Sequence, residues 1–384
     1  MMEYRLDELF DLQMGKTPSR NNPEYWNSED HKWISIGDLS KCGKYILDTK
    51  EYLSDTAVQE SGISCIPANT VIMSFKLSIG KTAITKEPIY SNEAIMSFRD
   101  KHIVELLPDY IFYMFTGKDW EAGTNKAVMG KTLNKATLSA IKVSIHPISE
   151  QRRIVEVLDK ASSIIEDRQR ELTRLDELIR ARFVEMFGDP VKNDKGFDSK
   201  LGSEVFKLSN GKFVPEDKRF DSGIPVYGGN GISWFTDELL FEKDTIVVGR
   251  VGFQSGNVHL VGGPLWVSDN AMYISNFYDD GYDLQFLFAV MEHIDFTRFQ
   301  DAGDLKKITQ KPFMQMLYIK PPIEMQQEYN AFVAQVDKSK YQAEPNSRKY
   351  YIHRLRKQYQ ELTDSLFLYF TKLFEVIIFQ KGIC

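Results

Sequence analysis

The 384-residue chain predicts an α+β fold in which two mixed α/β domains stand in tandem pseudo-repeat. Each domain is followed by a long helix, and the two helices are expected to pack as an antiparallel coiled coil. Three observations predict this. The chain repeats itself once, an apolar stripe at coiled-coil spacing begins mid-chain, and short β-branched and aromatic runs alternate with Gly, Asn, Asp and Pro elsewhere.

The repeat is most extended just ahead of the helices. "GKTLNKATLSAIKVSIHPISEQ" (Gly130–Gln151) aligns without gaps on "LKKITQKPFMQMLYIKPPIEMQ" (Leu305–Gln326). Earlier blocks keep the same order: "TVIMSFK" with "TIVVGRV", "SNEAI" with "SDNAM", and "DYIFYMF" with "LQFLFAV". At the front, Phe10, Leu12, Gly15 and Lys16 match Phe206, Leu208, Gly211 and Lys212. Chance could supply one such block, but not five in one order.

Within each half, Val71–Phe75 and Thr245–Val248 read as strands, and "VYGGNGISWF" (Val226–Phe235) as a pair of strands around a Gly-Asn-Gly turn. "DYIFYMF" and its counterpart read as short buried helices. The first long helix follows Ile154, Leu158, Ala161, Ile165, Arg168, Leu172, Leu175, Ile179, Arg182 and Met186, alternately four and three apart. That 3.5-residue period is a coiled-coil seam, broken only by the two arginines. Ser149 is positioned to cap its start and "GDP" (Gly188–Pro190) to stop it. About 38 residues at 1.5 Å each make a rod of roughly 57 Å, which needs a partner helix. The second copy supplies one. There Pro345 is expected to kink or break the helix, and the stripe resumes through Leu355, Leu362, Leu366 and Leu373. The expected division is a domain over 1–148, a helix over 149–188, a domain over 189–322 and a helix over 323–384, with a break near 340–350.

Composition bounds the function. An apolar fraction of 42% with 27% charged residues is globular, and the 12% of aromatics suits several filled cores. The 48 Lys and Arg against 54 Asp and Glu leave −6, which argues against non-specific binding of polyanions unless the basic residues gather on one face. Cys42, Cys65 and Cys384 have no pairing or metal-ligand spacing, as expected in a reducing cytosol. The start "MMEYRLDELF" has no signal-peptide core. "LFLYFTKLFEVIIF" is interrupted by Lys372 and Glu375 and is shorter than the roughly 20 residues a membrane span needs. The expectation is a soluble cytoplasmic protein with no membrane association.

No catalytic constellation is visible. The six histidines are scattered, so no metal site is expected. "NNPEY" (Asn21–Tyr25) reads as a turn, "GRVG" and "GGNG" are too short to cradle a phosphate, and Asp304 with Lys306 reads as a solvated loop. What remains suits nucleic acid. The first half offers Lys16, Arg20, Lys76, Lys126, Lys131 and Lys135; the second offers Lys212, Asn230, Ser233, Arg250, Gln254, Lys306 and Lys307. Lys and Arg suit phosphates, while Asn, Gln, Ser and Arg can read base edges. Their weight lies in pairing, since basic loops recur in both copies beside the root of each helix.

The Pro-Ile-x-Glu-Gln start at Pro147–Gln151, the run "LDELIRARFVEMFGDP" (Leu175–Pro190) and the duplicated domain–helix order resemble the specificity subunit of Type I restriction–modification systems. The resemblance implies a non-catalytic subunit of a multisubunit methyltransferase and endonuclease. Each target recognition domain would read one half of a split sequence in double-stranded DNA through the major groove. The helices, with Ile154, Leu158, Ile165, Leu172, Leu175 and Ile179 on the first and Leu355, Leu362, Leu366 and Leu373 on the second, would set the gap and dock two methylation subunits. No cofactor is expected in this chain; S-adenosylmethionine, ATP and Mg belong to the methylation and ATP-dependent restriction subunits. Two departures from the family pattern are Pro345 and "EMQQEY" (Glu324–Tyr329), which weakens the charged start seen at "SEQRRI". Alternative readings are a recognition subunit of a related fused restriction–methylation system, or a coiled-coil scaffold that never touches DNA.

Overall fold

The computed structural model describes residues 1–76, 78–120, 133–303 and 305–343. Lys126, Lys131, Asp304, Pro345, Leu355, Leu362, Leu366 and Leu373 lie outside the described residues. The described residues fall into two compact units, one over Met1–Asp167 and the other beginning at Arg168.

In the first unit β1 (Met2–Arg5) leads through the one-turn helix α1 (Leu6–Leu9) into β2 (Phe10–Met14). There follow β3 (His31–Ile34), α2 (Ile36–Leu39), β4 (Tyr45–Ile46), β5 (Glu51–Leu53), α3 (Asp55–Ser61), β6 (Val71–Ser74), β7 (Thr82–Thr85), β8 (Tyr90–Ser91) and β9 (Ile95–Asp100). Then α4 (Pro108–Thr116), α5 (Lys135–Ser139) and β10 (Lys142–Ile145) precede α6 (Ile148–Phe187). Five strands pair in the order β2-β9-β6-β7-β4, three in the order β5-β3-β8, and β1 pairs with β10.

Side chains of a strand alternate between its faces, and β6 uses both. Val71, Met73 and Phe75 join Tyr110, Ile111 and Phe115 of α4 in one core. Ile72 points the other way, into a second core with Ile34, Ile46, Ala83 and Ile95. That double burial is why Val71, Ile72 and Met73 are apolar in succession rather than alternating with polar residues.

The second unit runs β11 (Ser199–Leu201), α7 (Gly202–Val205), β12 (Phe206–Asn210), β13 (Ile224–Gly228), β14 (Gly231–Thr236), β15 (Thr245–Gly249), β16 (Val258–Val261), β17 (Trp266–Val267) and β18 (Ala271–Phe277). It continues through α8 (Leu284–Glu292), α9 (Lys311–Gln315), β19 (Leu317–Ile319) and α10 (Ile323–Ala343). Its sheets have the orders β12-β18-β15-β16, β14-β13-β17 and β11-β19. The face alternation recurs on β15. Ile246 and Val248 pack in the core that holds Phe286 and Val290 of α8, while Val247 faces Leu265 and Val267.

Both long helices start alike. Gln151, fully buried, accepts a hydrogen bond at Oε1 from the Leu107 N–H (3.0 Å) and donates from Nε2 to the carbonyls of Glu105 and His146, both 2.9 Å. Gln326, equally buried, accepts from the Asp283 N–H (2.8 Å) and donates to the carbonyls of Gly281 and Pro321, both 2.9 Å. Leu107 and Asp283 are the residues that cap α4 and α8. Each Gln therefore ties the root of a long helix to the first turn of the short helix before it.

The expectation that Ser149 caps α6 is corrected. The helix begins at Ile148, and the carbonyl of Pro147 accepts from the N–H groups of Glu150 and Gln151, so Ser149 lies inside the first turn. At the other end Gly188 has φ +70°, a left-handed conformation that favours glycine, and a Cβ there would come within 1.9 Å of Asp194 Oδ1.

Along the expected seam, Ile154 and Leu158 are buried in the first unit's core, and Met186 in the second's. Ile165, Leu172, Leu175 and Ile179 are half-buried, and Arg168 is exposed. Within the second unit, Asp176 of α6 pairs with Lys340 of α10 (2.7 Å) and Arg182 pairs with Glu328 (2.8 Å). Numbers rise on one helix as they fall on the other, so these stretches run antiparallel. Deeper in, Phe183 and Phe187 each meet Tyr329 edge to face with centroids 5.6 Å apart. Among the described residues no helix is long and apolar enough to cross a membrane.

Candidate nucleic-acid interface

In the first unit the candidate residues gather where β2, β6 and β8 end. A Cβ on Gly15 would lie 2.1 Å from the Ser91 carbonyl oxygen, so only glycine lets the chain leave β2 here. Lys16 N–H then donates to that same carbonyl (2.8 Å), and the indole N–H of Trp33 donates to the carbonyl of Lys16 (3.0 Å). The turn is thus anchored on both sides, and the Lys16 side chain is exposed.

Arg20 lies with its guanidinium 3.7 Å from the centroid of Trp26 and forms a two-pronged pair with Glu51. The Thr17 hydroxyl donates to Glu93. That hydrogen bond, with the nearby charges of Lys76 and Arg20, holds the Glu93 carboxyl below the usual range. Arg20 and Lys76 thus both act on Glu93, while the Lys16 ammonium donates to the Ser61 carbonyl. The Leu133 N–H donates to the Phe75 carbonyl (3.1 Å), which brings the start of α5, with Lys135, beside Lys76.

The second unit builds the same corner. A Cβ on Gly211 would lie 2.1 Å from the Ser268 carbonyl oxygen, Lys212 N–H donates to Val267 (2.8 Å), and the Trp266 indole donates to the carbonyl of Lys212 (2.9 Å). Trp33 and Trp266 reach this position from different strands, β3 and β17. The β13–β14 turn sets Asn230 at its exposed tip and abuts the loop after β15: a Cβ on Gly249 would lie 2.9 Å from the Gly229 carbonyl oxygen. Arg250 N–H donates to Asn270 (2.9 Å), and Gly252 N–H donates to Lys306 (2.8 Å). Lys307 N–H donates to Asp301 Oδ1 (2.9 Å).

Lys212, Asn230, Arg250, Gln254, Lys306 and Lys307 therefore sit on loops tied together by backbone hydrogen bonds at one end of the sheets. Gln254 is partly engaged, since its Oε1 accepts from the Asn257 side chain. Ser233 is exposed on β14 beside this end. Sequence reasoning missed Arg219, whose guanidinium lies 4.3 Å from the Trp234 centroid and donates to the Val214 carbonyl from Nε (3.1 Å) and Nη2 (3.0 Å). Trp234 had been visible, but nothing in the one-dimensional pattern paired it with an arginine fifteen residues earlier. It also missed Glu51 and Glu93, which already neutralise part of the first unit's cationic patch. Among the described residues no group of three or more His, Cys, Asp and Glu is arranged to hold a metal.

The profile of the family described as "Type I restriction modification DNA specificity domain" matches residues 1–174. The chain is 23% identical over 296 residues to the Type I restriction enzyme EcoprrI specificity subunit of Escherichia coli, covering 70% of this chain and 71% of that protein. It is 25% identical over 231 residues to the Type I restriction enzyme MjaIX specificity subunit of Methanocaldococcus jannaschii, where the match spans 55% of this chain and 53% of that one. In three dimensions it resembles the Type I restriction-modification S subunit from M. genitalium with a TM-score of 0.56 at 16% identity, covering 97% of this chain and 95% of the other. A second likeness, at TM-score 0.50 and 14% identity, is to a chain solved in work on assembly and conformational transition of the type I R-M system; it covers 100% and 98%. At these identities the structural likeness speaks to the mixed α/β fold, and the sequence matches speak to the family. The family model thus matches the first 174 of 384 residues, and the similar curated proteins are specificity subunits of Type I restriction enzymes.

Proposed function

We propose that this chain is the sequence-specific DNA-recognition subunit of a Type I restriction–modification complex, without catalytic chemistry of its own. Each unit reads one half of a bipartite target in double-stranded DNA. The two long helices set the distance between the halves and dock two methylation subunits, to which ATP-dependent restriction subunits add. S-adenosylmethionine, ATP and Mg belong to those partners. The domains follow the divisions at 148, 188 and 322, and the helices act as an antiparallel coiled coil.

The observation that carries this reading is the shared corner. In both units a Gly-Lys turn is pressed against a serine carbonyl and pinned by an indole, and it opens an exposed lysine beside further cations. A scaffold that never met DNA would have no reason to keep such a corner twice, at the same end of the same strands.

The net charge of −6 assigns the chain a particular share of the work. Partner subunits supply most phosphate contacts, and this chain supplies base contacts and register. Alone it should bind duplex DNA weakly and with steep salt dependence. Co-expression with a methylation subunit, followed by sequencing of modified adenines in the host genome, tests the proposal. A two-part motif with a fixed gap is the expected result. A stable complex that methylates without sequence preference would favour the scaffold.

A further inference from the structure

Phe253 is 89% exposed, more than any other large apolar side chain among the described residues. Single exposed apolar residues are ordinary. This one stands on a turn held from several sides. Ser255 N–H donates to Gly252 (3.0 Å), Gly256 N–H to Gly249 (2.8 Å), and the Gln300 side chain donates to the Ser255 carbonyl (2.7 Å). Gly252 and Gly256, with φ of +94° and +99°, let the chain turn sharply enough to present it.

It also has company at the same end of the unit. Phe213 (61%) and Leu305 (56%) on the adjoining loops and Ile232 (52%) at the start of β14 are exposed, next in sequence to Lys212, Lys306 and Ser233.

On the DNA-recognition reading above, we infer that Phe253 is a specificity-determining residue that packs against the 5-methyl group of a thymine in the half-site read by the second unit. Among unmodified bases, the major-groove edge of thymine alone carries a methyl group, and an aromatic ring is a fitting contact for it. Arg250, Lys306 and Lys307 on the joined loops would hold the phosphates that fix the ring's register. The held turn favours this edge-on contact, because the ring is presented without first ordering a loop.

The test uses the full complex with methylation subunits, wild type and Phe253→Ala, on duplexes carrying its methylation motif. Each thymine of the second unit's half-site is replaced in turn by deoxyuridine, which lacks only the methyl group. Wild type should lose roughly 5-fold in affinity at one position, the order of one buried methyl to one mismatched pair. Phe253→Ala should bind the thymine duplex that much more weakly and be indifferent to the replacement, with Phe253→Leu between them. A sequence-specific wild-type complex that ignores deoxyuridine at every position overturns the assignment alone. So does a Phe253→Ala complex that weakens equally on all sequences. A wild-type complex with no sequence preference overturns the recognition reading and this assignment together.

Discussion

Gln151 and Gln326 each satisfy three backbone groups at the root of a long helix. Replacing either by Ala leaves those groups to find water in a crowded place, at about 1–3 kcal/mol. Denaturant unfolding of Gln151→Ala and Gln326→Ala should each show a loss of that size; a loss below a few tenths would mean the ties are ornamental. Their alignment was legible in the sequence, but their task was not, because two of the three partners of each lie 43 to 46 residues upstream. Charge was the least legible property. Arg20 reads as a free cation until Glu51 is seen beside it. Asp279 offers a pH test. Hydrogen bonds from Lys200 and Lys320 hold its carboxyl well below the usual range. A depressed folded pKa contributes stability that is present above the unfolded value, near 4, and is lost as the pH falls toward the folded one. The melting-temperature gap between wild type and Asp279→Asn should therefore narrow steadily below about pH 4, whereas a constant gap would contradict the pairing.

At the scale of elements, periodicity made α6 readable and misplaced its first turn. Along its apolar stripe Ile154 and Leu158 are buried in the first unit's core, Leu172, Leu175 and Ile179 are half-buried, and Met186 is buried in the second unit's core. The start was misjudged because Ser149 fits a local capping rule, while the actual start is set by Pro147 and the tie of Gln151 to α4. Short helices such as α5 and α9 carry too few turns for any period to show. The aromatic wedge between α6 and α10 was equally hidden. Phe183, fully buried, stacks on His293 at 3.9 Å and meets Phe187, Phe286 and Tyr329. Phe183→Ala should cost about 3–5 kcal/mol, read by denaturant unfolding of the whole chain. At the helix surface, Glu328→Arg should weaken the antiparallel contact through repulsion of Arg182, and adding Arg182→Glu should restore it. Melting of the two single variants and the double variant decides this, and a double variant no better than the singles would deny the contact.

For the whole molecule, the internal repeat was the most informative feature, since it turned isolated basic loops into a matched pair. The aligned blocks lie on corresponding elements: Val71–Ser74 and Thr245–Gly249 are inner strands of their sheets, and α4 and α8 pack across them. The contacts that distinguish the two units were not legible, because an alignment by similarity discards what differs. Phe253 and Arg219 belong to that remainder. The proposed division of labour makes the two units exchangeable parts, each carrying half of the specificity.

Replacing residues 1–148 with the corresponding stretch of another specificity subunit, and sequencing methylated adenines made by the chimeric complex, tests this most directly. One half of the methylated motif should change while the other half and the gap stay fixed. A motif that changes in both halves, or a gap that shifts with the exchange, would contradict it.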